Sequence, residues 1–102
     1  NLEKAAEMAS LANKIAPNES SFEDTYGWVL FQQGKYEEAK LWIEKAYNNG
    51  GKTSGVIVEH LGDVASKLGK KEEAVAYWTK AKELGVESKM IDKKIKDGVY
   101  YE

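Results

Sequence analysis

Apolar residues recur three and four apart in successive blocks of this chain, which is the period of an amphipathic helix. No block shows the every-second-residue alternation of a strand. Glycine and proline punctuate the pattern and set the expected helix limits. The first helix is predicted over residues 2–16, stopping before Pro17, the one proline of the chain. The second is predicted over 21–33, with Ser20 or Ser21 placed to cap its free amides and Gly34 breaking it. The third covers 36–49 and meets Gly50 and Gly51. The fourth covers 54–68 and meets Gly69. The fifth covers 71–84 and meets Gly85, a position suited to a left-handed helix end. A last helix is predicted over 88–97, closed by Gly98. Short helices joined by shorter breaks pack as antiparallel hairpins.

These blocks repeat. The stretch QGKYEEAKLWIEKAYNNGG from Gln33 aligns with LGKKEEAVAYWTKAKELGV from Leu68. Gly34 pairs with Gly69, Ala39 with Ala74 and Ala46 with Ala81, each 35 residues on, as do Gly27 and Gly62. Ala5 and Ala12 lie 34 residues before Ala39 and Ala46. Alanine pairs seven apart and in phase three times point to places where two helices cross closely, since a larger side chain would force them apart.

At this point the chain resembles the tetratricopeptide repeat family, whose repeat of about 34 residues is a helix–turn–helix with W-x2-L-G-x2-Y, A-x3-F and a closing proline. Tyr26-Gly27 and Leu61-Gly62 stand at the L-G step. Ala39 and Ala74 are followed four residues on by Ile43 and Trp78, and Pro17 stands at a closing position. Glu23 and Val58 depart from the tryptophan slot, Leu30 and Ala65 from the tyrosine slot, and Gly51 and Val86 from the later prolines. The resemblance covers residues 1 to 86. It implies a single all-α domain, a right-handed α-solenoid of antiparallel hairpins with six helices. Residues 1–19 form the second helix of a truncated repeat, 20–53 and 54–87 are full repeats, and 88–102 are a capping helix and tail. The phase is that of the C-terminal part of a longer protein, with a bacterial multi-repeat scaffold as its expected setting.

A solenoid end needs a cap with a polar outer face. In SKMIDKKIKD, Met90, Ile91 and Ile95 make a narrow apolar stripe, and the lysines are expected to cover the rest. At the other end Leu2, Met8, Leu11 and Ile15 are expected to lie bare, which predicts self-association through the first helix or loose packing there.

Charge narrows the partner. The chain has 15 basic and 17 acidic residues in 102, intermingled, for a net charge of −2. Nucleic acid would call for a basic stripe that is not there. No apolar run approaches the roughly 18 residues that span a bilayer, and the first ten residues do not follow the plan of a secretory signal. The absence of cysteine removes disulfides, thiolate metal sites and cysteine nucleophiles. It leaves the cytoplasm and the cell envelope both open.

Candidate chemistry reduces to architecture. Residues 46–53, AYNNGGKT, fit a relaxed phosphate-loop pattern, but such a loop works between a strand and a helix, and here a helix precedes it. His60, the one histidine, has Glu59, Asp63 and Asp24 as candidate neighbours, short of the converging ligands that a metal demands. Glu37-Glu38 and Glu72-Glu73 recur at helix N-termini, where negative charge complements the helix dipole. No nucleophile setting appears, so neither catalysis nor a cofactor is expected.

Trp42 and Trp78 stand at core spacing, as do Tyr36, Tyr47 and Tyr77, whereas Trp28 falls on the opposite face of its helix. The resemblance implies that this face lines a concave groove. Carried over position by position, the groove takes Ser21, Asp24, Thr25, Trp28 and Gln32 from one repeat, and Val56, Glu59, His60, Asp63 and Lys67 from the next. The family's clamp of lysines and asparagines on a terminal carboxylate is replaced here by Asp24, Glu59 and Asp63. A protein or peptide partner is therefore expected to be basic or neutral rather than acidic. The other reading of the chain is a structural end-cap with no ligand of its own.

Overall fold

The computed structural model describes all 102 residues as six α-helices with no strand. They are α1 (Leu2–Ile15), α2 (Ser20–Gln32), α3 (Tyr36–Asn48), α4 (Gly55–Lys67), α5 (Lys71–Glu83) and α6 (Ile91–Asp97), with one 3-10 turn, Gly51–Thr53, between α3 and α4. Five of the six fall within two residues of their predicted limits. The sixth begins later than predicted, at Ile91, because Ser88 is drawn onto the Glu59 carboxylate, to which its hydroxyl donates at 2.7 Å.

α1 and α4 are capped by side chains, and α2, α3, α5 and α6 are not. Asn1 Oδ1 accepts the Lys4 amide at 3.1 Å, and Ser54 Oγ accepts that of Ile57 at 3.3 Å. α2 was expected to carry a serine cap, yet it starts at Ser20 behind Glu19, with no side-chain cap. Both serines lie inside the first turn, past the position from which a hydroxyl reaches the free amides. Both hairpin turns end on a left-handed glycine, Gly34 at φ +81° and Gly69 at φ +79°. In each, the next amide reaches back to close the helix, Lys35 to Leu30 O and Lys70 to Ala65 O, both at 2.9 Å.

The repeat alanines do what their phase requires. Ala39, Ala46, Ala74 and Ala81 are wholly buried, where α2 meets α3 and α4 meets α5. Gly27 and Gly62 face them from the first helix of each pair. A Cβ on Gly27 would stand 2.5 Å from Ile43 Cγ1, and one on Gly62 would enter the Trp78 indole. Two apolar clusters result. Leu30, Phe31, Ile43, Ile57, Leu61 and Val64 fill the space among α2, α3 and α4. Val58, Ala65, Trp78 and Ile91 fill that among α4, α5 and α6. α4 is common to both, so it holds the array together. Each buried side chain of this size contributes about 1.5–3 kcal/mol.

Ala5 and Ala12 are only half-buried, because α1 packs on α2 alone. Leu2, Met8, Leu11 and Ile15 are exposed as expected, Ile15 by 76%. The cap departs from expectation. Ile91 is buried, but so is Lys94, at 4% exposure, so one of the lysines assigned to the solvent face points into the fold.

Candidate functional site

The face that α2 and α4 share is built around Trp28. Its ring stacks on Phe31, three residues on in α2, with centroids 4.6 Å apart and planes 9° apart. It stacks equally on His60 of α4, at 3.9 Å and 14°. His60 is held in that plane by Asp24, whose Oδ1 and Oδ2 lie 2.8 and 3.1 Å from Nδ1. A carboxylate only accepts, so Nδ1–H is the donor. Three near-parallel rings thus tie one repeat to the next. The half-buried Trp28 is a joint between repeats.

Next to His60 at Glu59, and one helical turn on at Asp63, is a buried ionic network. Lys94 Nζ donates to Asp63 Oδ1 at 2.8 Å and to Glu59 Oε2 at 2.9 Å. Trp78 Nε1 donates to the same Asp63 oxygen at 3.0 Å. Asp63 is 1% exposed, and burial raises its pKa above the ordinary carboxylate value of 3.8, against the opposing pull of the Lys94 charge and its hydrogen bond. A lysine this deep is tolerable only because two carboxylates meet it. The network fastens α6 across α4.

Past Gly98, left-handed at φ +69°, the chain turns back over the same face. The Tyr100 amide donates to Ser66 Oγ at 3.0 Å, and its ring meets Phe31 edge-on at 5.2 Å. Lys94 and Lys67 stand over that ring at 5.0 and 5.3 Å. Burial raises the pKa of the Tyr100 phenol above its ordinary 10, with help from Asp63, Glu102 and Glu59, so the hydroxyl stays protonated at neutral pH. The tail leaves an open cleft on each side. One, of about 410 Å³, is lined by Trp28, His60, Lys89 and Met90 among others. The other, of about 490 Å³, is lined by Gln32, Tyr36 and Lys67 among others. Tyr100 and Glu102 wall both.

The groove residues read from the sequence are thus partly brought together. Trp28, Glu59, His60 and Asp63 line the first cleft, and Gln32 and Lys67 the second. Asp24 is drawn under His60. Ser21, Thr25 and Val56 are exposed but line neither cleft, and the Thr25 hydroxyl is spent on Ser21 O at 2.7 Å. The expectation of a basic or neutral partner rested on Asp24, Glu59 and Asp63. In the fold each of these carboxylates has a partner within the chain, His60 for the first and Lys94 for the other two. Residues 46–53 run from the last turn of α3 through left-handed Gly50 into the 3-10 turn, with no strand beside them. No three His, Asp or Glu side chains converge closely enough to hold a metal ion. No helix is long and apolar enough to cross a membrane.

The periodic reading passed over Tyr100, Lys94 and Ser88. The one signal available was the Tyr100-Tyr101 pair just after a helix-ending glycine, two aromatics in a segment that would otherwise be a polar tail. It also left Glu23 as a bare departure from the repeat pattern. Glu23 is 1% exposed, and Asn49 Nδ2 at the end of α3 donates to both its oxygens at 3.0 Å.

Residues 25–48 and 58–84 match the family model for the tetratricopeptide repeat. These segments are the α2–α3 and α4–α5 hairpins, the two units that the alanines and glycines set in phase. No curated protein matches the chain.

Proposed function

Because the chain belongs to the tetratricopeptide repeat family, whose repeats mediate protein–protein interaction, we propose that it takes a peptide segment of a partner protein on the face formed by α2 and α4. The observation that carries this reading is the pair of open clefts, about 410 and 490 Å³, on one face of the array. The clefts set aromatic side chains, Trp28, Tyr36 and Tyr100, among charged and polar ones such as Lys89 and Lys67, and an aromatic edge beside polar groups is able to anchor side chains of a bound segment. With Asp24, Glu59 and Asp63 each answered inside the chain, nothing on this face demands a basic ligand, and the segment is read as neutral.

Photo-cross-linking tests the reading. A benzophenone amino acid placed at Gln32 or Lys67 should capture the partner in cells, and the same group at exposed Thr79, outside both clefts, should not. Equal capture from Thr79, or none from the clefts, would overturn it.

A second reading is supported by the buried Lys94 network, which seats α6 over α4 as an end-cap requires. On that reading no position on the α2–α4 face captures anything. A further contact, between copies of the chain, is read at α1, where Leu2, Met8, Leu11 and Ile15 are exposed along one helix.

A further inference from the structure

Residues 98–102 lie on the α2–α4 face as a bound peptide would. The backbone of Tyr100 donates to Ser66 Oγ at 3.0 Å, and its ring packs edge-on against Phe31 at 5.2 Å. One main-chain hydrogen bond and one aromatic anchor are the elements by which an extended segment is recognised. Lys94 and Lys67 over the Tyr100 ring, at 5.0 and 5.3 Å, add to this hold, and the rest of the tail makes few contacts with the face. Val99 is exposed, and the Tyr101 hydroxyl donates at 2.7 Å to Asp97 at the end of α6, not to the trough. α6 is also seated by Ile91 and by the bonds of Lys94 to Glu59 and Asp63, which do not depend on the tail, so the tail can leave without unseating the helix. Gly98, left-handed at φ +69°, turns the tail in this direction, and a Cβ there would also meet the Lys71 side chain. The tail also divides the face, because Tyr100 and Glu102 wall both clefts.

We infer that residues 98–102 are a ligand held in cis, and that the external partner of this face is a neutral extended peptide whose tyrosine or phenylalanine replaces Tyr100. This rests on reading the face as a peptide site and names what the site takes. Tethered by a residue or two, the tail sits at a local concentration on the order of millimolar. That keeps the face closed to weak ligands and yields to one that also fills the adjoining clefts.

The test uses the full chain and an acetylated, amidated tetrapeptide GVYY, a copy of residues 98–101, titrated by NMR at the Ser66 amide and the Phe31 ring. The Tyr100→Ala chain should bind GVYY about fivefold more tightly than the native chain, whose own tail competes. The peptide GVAY should bind neither. Unchanged helicity and amide dispersion in Tyr100→Ala would show that the fold is kept. Equal affinity for native and Tyr100→Ala chains, equal binding of GVAY, or no binding of GVYY to either chain would overturn the inference. Cross-linking from Gln32 and Lys67 reports partner capture separately. Capture that persists while GVYY fails sinks the inference alone, and loss of both sinks the function proposed above as well.

Discussion

The Trp78 indole occupies the space that a side chain on Gly62 would take, and it cannot retreat. It is wholly buried, and its Nε1 is tethered to Asp63 Oδ1 at 3.0 Å. Gly62→Ala should therefore part α4 from α5. Overpacking costs about 1–3 kcal/mol, against a gain of about 1 kcal/mol from replacing a mid-helix glycine. The net loss should show in urea unfolding. Gly27→Ala should also lower stability, since its Cβ would meet Ile43 Cγ1 at 2.5 Å and the backbone of Ile43 and Ala39 at 3.2 and 3.3 Å. A more stable Gly62→Ala chain would mean that the hairpin opens freely.

Glu23 stands where the next repeat has Val58, 35 residues on, and both are buried. Its carboxylate is satisfied by Asn49 Nδ2, with Lys45 Nζ at 3.7 Å. Removing the amide leaves a buried charge short of a donor. Asn49→Ala should cost about 1–3 kcal/mol or more. Glu23→Val, which imitates the second repeat, should recover most of that loss when combined with it. A double variant no more stable than Asn49→Ala alone would contradict this account.

Lys94→Met leaves Glu59 and Asp63 buried without their cation, at a cost of about 3–5 kcal/mol in thermal or denaturant unfolding. A loss below 1 kcal/mol would show that α6 is held by Ile91 alone.

Asp63 gives a dependence on pH whose sign follows from its raised pKa. The folded chain binds this proton more tightly than the unfolded one, so the Asp63 contribution is fully present below the unfolded value of 3.8. It is lost as pH rises through the folded value. Asp63→Asn keeps an acceptor for Trp78 and removes the titration. The stability of the native chain relative to Asp63→Asn should therefore fall as pH is raised above about 4. A difference that stays flat from pH 3 to 7 would refute the assignment.

Leu11 and Ile15 lie bare on α1. Leu11→Glu with Ile15→Glu should abolish any concentration-dependent mass in sedimentation while leaving the helical signal intact. Unchanged association would place the contact between copies elsewhere.

The helices and their pairing were legible because they rest on local or repeated signals. Helical periodicity, glycines at chain reversals and small residues in phase predict the hairpins before any coordinates. Burial of Ala39, Ala46, Ala74 and Ala81 is the outcome of that phase. The α2 cap was misjudged only because a serine before a helix and one in its first turn read alike.

Sequence alone therefore determined an all-helical array of nested hairpins and the residues at each crossing, because every copy of the repeat states the same packing constraint. Only the tertiary structure decided which groups on the shared face are free. Lys94 reaches Asp63 and Glu59 across 31 and 35 residues, and Tyr100 reaches Ser66 across 34. Each contact occurs once and follows no period. A lysine paired inside the fold and one in water have the same spacing along a helix; what separates them is the desolvated carboxylate brought alongside by packing.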